Sequence, residues 1–336
     1  MQTTKKLNLL ISFILFYSFL NTAQSEIKVV TSIKPLHSLV SYVMDGVTSP
    51  GLIVDGNNSP HTFQLKPATA KMIQEADIIF WIGQDLETFL KKPLKTIGNK
   101  TKIISFLESK EIEKVKYREN NIFEDSEHDD HNGHDDHSEK EESNSKKKNE
   151  HVSHEEKDEH EEHHDHDHGN GIDPHIWTDP LNAKIMVELI AQHLSEVDSK
   201  NKSIYENNKK KILVELDSMV QEINNSINKN ASFIVFHDAY QYFEKRFDVQ
   251  VAGALMVNPE VLPGAKQLTS IREEIKTKKI NCIFSEPQFN PGIPKAIAQD
   301  TNIKISVMDP LGADLDNGKD LYFKLIRNIS NSIKNC

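Results

Sequence analysis

A chain of 336 residues is long enough for two domains of roughly 150 residues, each able to bury a core. Its formal charge of −11 is uneven: residues 124–170 hold 19 Asp and Glu, five Lys and no Arg, and so carry −14 by themselves, together with 11 of the 16 His. The rest is close to neutral and shows no Lys/Arg stripe, which argues against a nucleic-acid binder, and the 37% hydrophobic content excludes a collagen-like or wholly disordered chain.

The N-terminus reads as a secretory signal. Lys5 and Lys6 precede an apolar run over 7–20, and small residues Ala23 and Ser25 sit at the −3 and −1 positions of a cut after Ser25. About 14 apolar residues fall short of the roughly 20 that cross a bilayer. No later segment is apolar enough to span, so the expectation is a mature protein of the bacterial periplasm. There Cys282 and Cys336 are expected to form one disulfide, worth about 4 kcal/mol by loop entropy; two free thiols are the alternative.

From residue 26 onward strand-like and helix-like runs alternate. Residues 26–33, 51–54, 77–82 and 102–106 read as strands, with helices over 35–44 and 67–75 between them. The run 77–82 (DIIFWI) is continuously apolar, as a parallel strand covered on both faces requires. Residues 124–170 contain almost no apolar side chains and read as a disordered insertion. Asp179-Pro180 signals a helix start, Asp as N-cap and Pro at the first helical position, and the periodicity carries this helix to about 197. A second long helix is predicted over 203–228. Strands at 233–236, 249–255, 280–285 and 303–308 then interleave with helices starting at 240, 264, 294 and 320. The expected architecture is α/β: a signal peptide 1–25, an N-terminal lobe 26–178 containing the insertion 124–170, a connecting helix 179–200 and a C-terminal lobe 201–336.

Outside the insertion five His remain, and three stand where open parallel sheets put ligands, beyond the carboxyl ends of strands. His61 follows the strand 51–54; His175 lies in Asp173-Pro-His-Ile-Trp177; His237 ends the strand 233–236. Asp309, in Met308-Asp-Pro-Leu-Gly312, follows another strand. Three imidazoles and a carboxylate make a four-coordinate, nitrogen-rich set suited to Zn2+. Asp309 before Pro is equally well read as a turn residue. His37 and His193 fall within helices and are expected to be structural or solvated, and Trp177 to pack beside the site.

The motifs Ser-Pro-His61-Thr-Phe, Pro-His175-Ile-Trp, Phe-His237-Asp-Ala-Tyr, Asn258-Pro-Glu-Val-Leu-Pro-Gly264, Phe284-Ser-Glu-Pro-Gln-Phe289 and Met308-Asp-Pro-Leu-Gly312 resemble the zinc-specific periplasmic solute-binding proteins of bacterial high-affinity zinc ABC importers. The resemblance covers nearly the whole mature chain, His-rich insertion included. It implies two Rossmann-like lobes joined by a long rigid helix, with metal in the cleft and His61, His175 and His237 as ligands. The implied partners are Zn2+ as cargo and an ABC permease in the inner membrane, the carrier itself being a monomer. In manganese-binding relatives the position of His237 is a Glu, so His here favours zinc. Some zinc-binding members carry a Glu immediately before the first His; this chain has Pro60, which leaves Asp309, water or a His of the insertion for the fourth position. The insertion itself, with His163, His164, His166 and His168 in one short run, is expected to offer weak metal sites.

Two competing functions follow from the same residues. Three His plus water is also a hydrolase pattern, with Glu286 the nearest candidate base, though no His-Glu-x-x-His helix is present. A manganese carrier or adhesin of the same fold is the other.

Overall fold

The computed structural model describes residues 26–122 and 171–336, apart from 99, 258 and 260. The expected signal peptide and the expected insertion over 124–170 lie outside the described residues, as do two positions of the 258–264 motif.

The apolar runs become two four-stranded, wholly parallel sheets. In the first, β1 (Val29–Ile33), β2 (Gly51–Val54), β3 (Ile78–Trp81) and β4 (Lys102–Ser105) lie in the order β2-β1-β3-β4. In the second, β5 (Phe233–His237), β6 (Val251–Met256), β7 (Cys282–Ser285) and β8 (Lys304–Val307) repeat it as β6-β5-β7-β8. This order reverses between β1 and β3 and between β5 and β7, the switch points where open α/β sheets open a ligand crevice.

The helices are α1 (Lys34–Val43), α2 (Pro67–Gln74), α3 (Lys91–Thr96), α4 (Pro180–Val197), α5 (Lys202–Ser226), α6 (Gln241–Phe247), α7 (Ala265–Thr277), α8 (Gly292–Thr301) and α9 (Leu321–Lys334). Asp179 caps α4 through a 2.8 Å hydrogen bond from Leu181 N, with Pro180 in the first turn, as its sequence signal predicts. A short 3-10 turn, Ser199–Asn201, then sends α5 back to pack along α4. The link between the sheets is thus a pair of helices, with α1 and α9 packed on it.

Burial follows the two-residue period of the strands. Phe233 and Val235 of β5 face one continuous core shared with β1, β3, α1, α4 and α9; Ile234 and Phe236 face a second cluster under α7 and α8. The edge strand β8 departs from the all-buried pattern of parallel strands: its Val307 is 56% exposed, because the sheet has no neighbour beyond it.

Residues 113–122, expected with the first lobe, lie against the second sheet. Asn121 O accepts from Ala254 N at 2.8 Å, Ile122 pairs with Gly253 at the β6 edge, and Val115 N donates to the Tyr242 hydroxyl. Arg118 donates to Asp238 Oδ1 at 2.9 Å and forks onto both Glu244 oxygens. From the opposite side, Lys34 of α1 donates to the carbonyls of Ala313 and Leu315 at 2.8 and 2.7 Å. The chain therefore crosses between the two halves at several points besides the helix pair.

Cys282 and Cys336 form the expected disulfide, with Cα atoms 5.7 Å apart, tying β7 to the end of α9. The helix it fastens already buries Leu321, Tyr322, Leu325, Ile326 and Ile329. Cys336→Ser is expected to lower unfolding free energy by about 2–4 kcal/mol for the 54-residue separation while leaving the fold intact, as read by denaturant titration monitored by circular dichroism.

Candidate metal centre

Each of the three His reaches the site by a different route. His61 sits on the loop between β2 and α2, its backbone N–H donating to Ser59 Oγ at 3.3 Å. His175 stands just before α4, at the start of the 3-10 turn Ile176–Thr178. His237 is the last residue of β5, at the switch point. Their ligand-capable atoms all lie within 4.8 Å of one another, and they are the one such group of His, Cys, Asp and Glu among the described residues. Nε2 of His175 lies 3.4 Å from Nε2 of His61 and 3.3 Å from Nε2 of His237.

Two buried carboxylates set the rings. Asp173 Oδ1 lies 2.6 Å from His175 Nδ1 and accepts the His175 backbone N–H at 3.0 Å. The same Asp173 is held by Gln241 on Oδ2 and by the Tyr242 hydroxyl on its carbonyl. Glu286, one residue past β7 and across the switch point, places Oε1 2.8 Å from His237 Nδ1. A ring whose Nδ1–H donates to a carboxylate carries its lone pair on Nε2. The lone pairs of His175 and His237 are therefore turned inward and cannot hydrogen-bond to each other. His61 has no such carboxylate among the described residues and remains partly exposed.

Desolvation, then the neighbouring His, push the His61 and His175 imidazoles well below their ordinary pKa. Desolvation pulls His237 the same way, but the Glu286 carboxylate, with Asp238 and Asp173 behind it, turns the net direction upward. Burial raises Asp173 to about 7 and Asp238, behind His237, to about 8. Asp173, Asp238, Glu244 and Glu286 are all buried, and Arg118 is the cation set against them.

The cavity enclosed by the three His is about 10 Å³, closed by Trp177, Phe289 and Gln288; that is room for about one water-sized sphere. Trp177 is fully buried, its ring 5.2 Å from His175 and its indole N–H on Pro310 O. His37 binds Pro50 O inside the core and His193 pairs with Glu196 on the surface of α4, both apart from the cluster.

Asp309, a candidate fourth ligand from sequence, does not join the three His. Its Oδ1 accepts from Leu311 N at 2.9 Å and Gln288 Nε2 at 2.7 Å, and its Oδ2 from Ala313 N at 2.5 Å. The carboxylate is consumed in satisfying the N–H groups of the turn after β8, the alternative its Asp-Pro context allowed. Asp173 carries no role in the sequence reading, although an Asp two residues before a His is the spacing of a side chain that reaches forward to its ring. Glu286 was read only as a hydrolase base; its partner, 49 residues away, is visible only once β5 and β7 are neighbours.

The family model for "Zinc-uptake complex component A periplasmic" matches residues 29–336. The high-affinity zinc uptake system protein ZnuA of Brucella abortus (strain 2308) is 47% identical over 310 residues, covering 92% of this chain and 91% of that one. The protein of the same name from Haemophilus influenzae is 39% identical and covers 92% of each. A solved zinc-bound ZnuA deletion mutant shares the fold with a TM-score of 0.69 at 22% identity, over 93% of this chain and 98% of that one. Matched along nearly its whole described length, the chain belongs to the ZnuA family of periplasmic zinc-uptake components.

Proposed function

We propose that the protein captures Zn2+ in the periplasm, through Nε2 of His61, His175 and His237, and delivers it to an ABC-type permease of the inner membrane. The single observation that carries this reading is the spacing of the imidazoles. Zn–N bonds of about 2.0–2.1 Å at tetrahedral angles put neighbouring nitrogens roughly 3.3–3.4 Å apart, and the Nε2 atoms stand at 3.3 and 3.4 Å. The inward lone pairs of His175 and His237, 3.3 Å apart, repel one another unless a cation lies between them. The buried carboxylates of Asp173 and Glu286, set on the outer nitrogens of two of these rings, raise the basicity of the inner nitrogens toward a dication.

A carrier fits this site better than a hydrolase does. A cavity of about 10 Å³ has no room for an ester or peptide, and Glu286, the candidate base, is engaged on the outer nitrogen of His237. Three imidazoles favour Zn2+ over Mn2+, which prefers oxygen ligands and stands below zinc in the affinity order of nitrogen sites. Localisation by a cleaved signal over 1–25 and action as a monomer complete the proposal.

Calorimetric titration of the mature chain is expected to show one tight Zn2+ site that persists after deletion of 124–170 and outcompetes Mn2+. His175→Ala is expected to weaken it by at least about a hundredfold. Loss of the tight site on deletion, or a preference for Mn2+, would overturn the assignment.

Acid is expected to release the metal, with His237 leading. Its imidazole, raised above the ordinary 6.5, takes a proton first as pH falls; His61 and His175, pushed below it, follow only in stronger acid. Below the His237 pKa the apparent affinity should fall by about tenfold per pH unit for the one proton that must leave, steepening when the other two titrate. Competition with a chelator across about pH 8 to about pH 5 reads this slope; a flat profile contradicts imidazole ligation.

A further inference from the structure

Gln288 lies three residues past β7, in Glu286-Pro287-Gln288-Phe289, and lines the same small cavity as the three imidazoles. The orientation of its amide is determined by Asp309. Nε2 donates to Asp309 Oδ1 at 2.7 Å, and the flipped amide would set two acceptor oxygens against each other. Oε1 is therefore on the opposite branch, where it is buried and accepts no hydrogen bond among the described residues.

A buried amide oxygen without a donor is unfavourable. His175 and His237 cannot supply one, because they give their Nδ1 protons to Asp173 and Glu286 and their Nε2 atoms carry lone pairs. Three nitrogens leave a tetrahedral zinc one open direction, and the cavity has room for about one water. Water on zinc is polarised and becomes a strong hydrogen-bond donor. Asp309 cannot take the open position without abandoning three donors.

We propose that Gln288 is a positioning residue whose Oε1 accepts a hydrogen bond from the water completing the zinc tetrahedron, with Asp309 orienting the amide instead of binding the metal. This rests on the reading of the three His as zinc ligands and deepens it. A neutral acceptor in place of a fourth carboxylate keeps the coordination sphere one of three nitrogens and a water, a set that suits Zn2+ and offers Mn2+ little. It also leaves one ligand position exchangeable, which favours transfer of the cargo.

The test compares two kinds of variant. Gln288→Met and Gln288→Leu remove both the acceptor and the donor to Asp309; Gln288→Glu removes the donor but keeps an acceptor of the same length. Folding is checked by circular dichroism, zinc affinity by chelator competition, and coordination by the visible spectrum of the Co2+ form. Gln288→Met and Gln288→Leu are expected to weaken zinc binding by about ten- to a hundredfold and to change the Co2+ spectrum, with Gln288→Glu staying within about threefold of the native chain. Equal loss in all three variants would mean that Gln288 merely tethers the Asp309 turn, and overturns the proposal. Native affinity in the acceptor-free variants overturns it as well. A native chain that binds no zinc tightly fails the three-histidine reading itself, a result separate from any difference among the variants.

Discussion

The pairing of two of the three converging imidazoles with buried carboxylates is the constraint on which the rest of the structure turns. Asp173 on His175 and Glu286 on His237 choose the tautomer, hold the ring planes and send the Nε2 lone pairs to one point. Both carboxylates are buried, so the arrangement is unfavourable in isolation and must be held from outside. Asp173 is secured by Tyr242 and Gln241 of α6, and Glu286 by its place at the end of β7. A dication between the imidazoles would relieve the repulsion between the lone pairs of His175 and His237.

The fold meets that demand by repetition. Each sheet reverses direction beside its first strand, and in the second sheet that reversal brings the ends of β5 and β7, hence His237 and Glu286, side by side. His175 is fastened chiefly to the second half, since Asp173 hydrogen-bonds to Val115 O and to two residues of α6. Residues 113–122 reinforce this by crossing to β6 and α6, with Arg118 forked onto Glu244 and bonded to the residue after His237. His61 alone comes from the loop after β2, partly exposed and without a carboxylate on its ring. Two of the three imidazoles are thus set in place by one half of the molecule and the third is brought by the other.

Much of this is legible in the amino-acid order because it is local. Alternating apolar runs, the Asp179-Pro180 helix start and the position of His237 at the end of β5 each depend on a few consecutive residues. The irregular segment 113–122 offers no periodicity, so its crossing to the second sheet was invisible and it was grouped with the first. Asp309 shows the same limit from the other side: an Asp-Pro pair after a strand suits a ligand and a turn equally. Only the N–H groups of Leu311 and Ala313 and the Gln288 amide decide between them.

The sequence by itself determined an α/β chain with a pair of cysteines, a charge imbalance confined to 124–170 and three imidazoles outside that segment as candidate ligands. Tertiary structure alone decided which carboxylates face those imidazoles, that Asp309 serves its own turn, and that the Gln288 oxygen is buried without a donor. The physical reason is range. Strand and helix preferences, caps and turns are settled among neighbours, whereas a buried charge or amide is settled by the partner it meets, and those partners stand 21, 49 and 120 residues away along the chain.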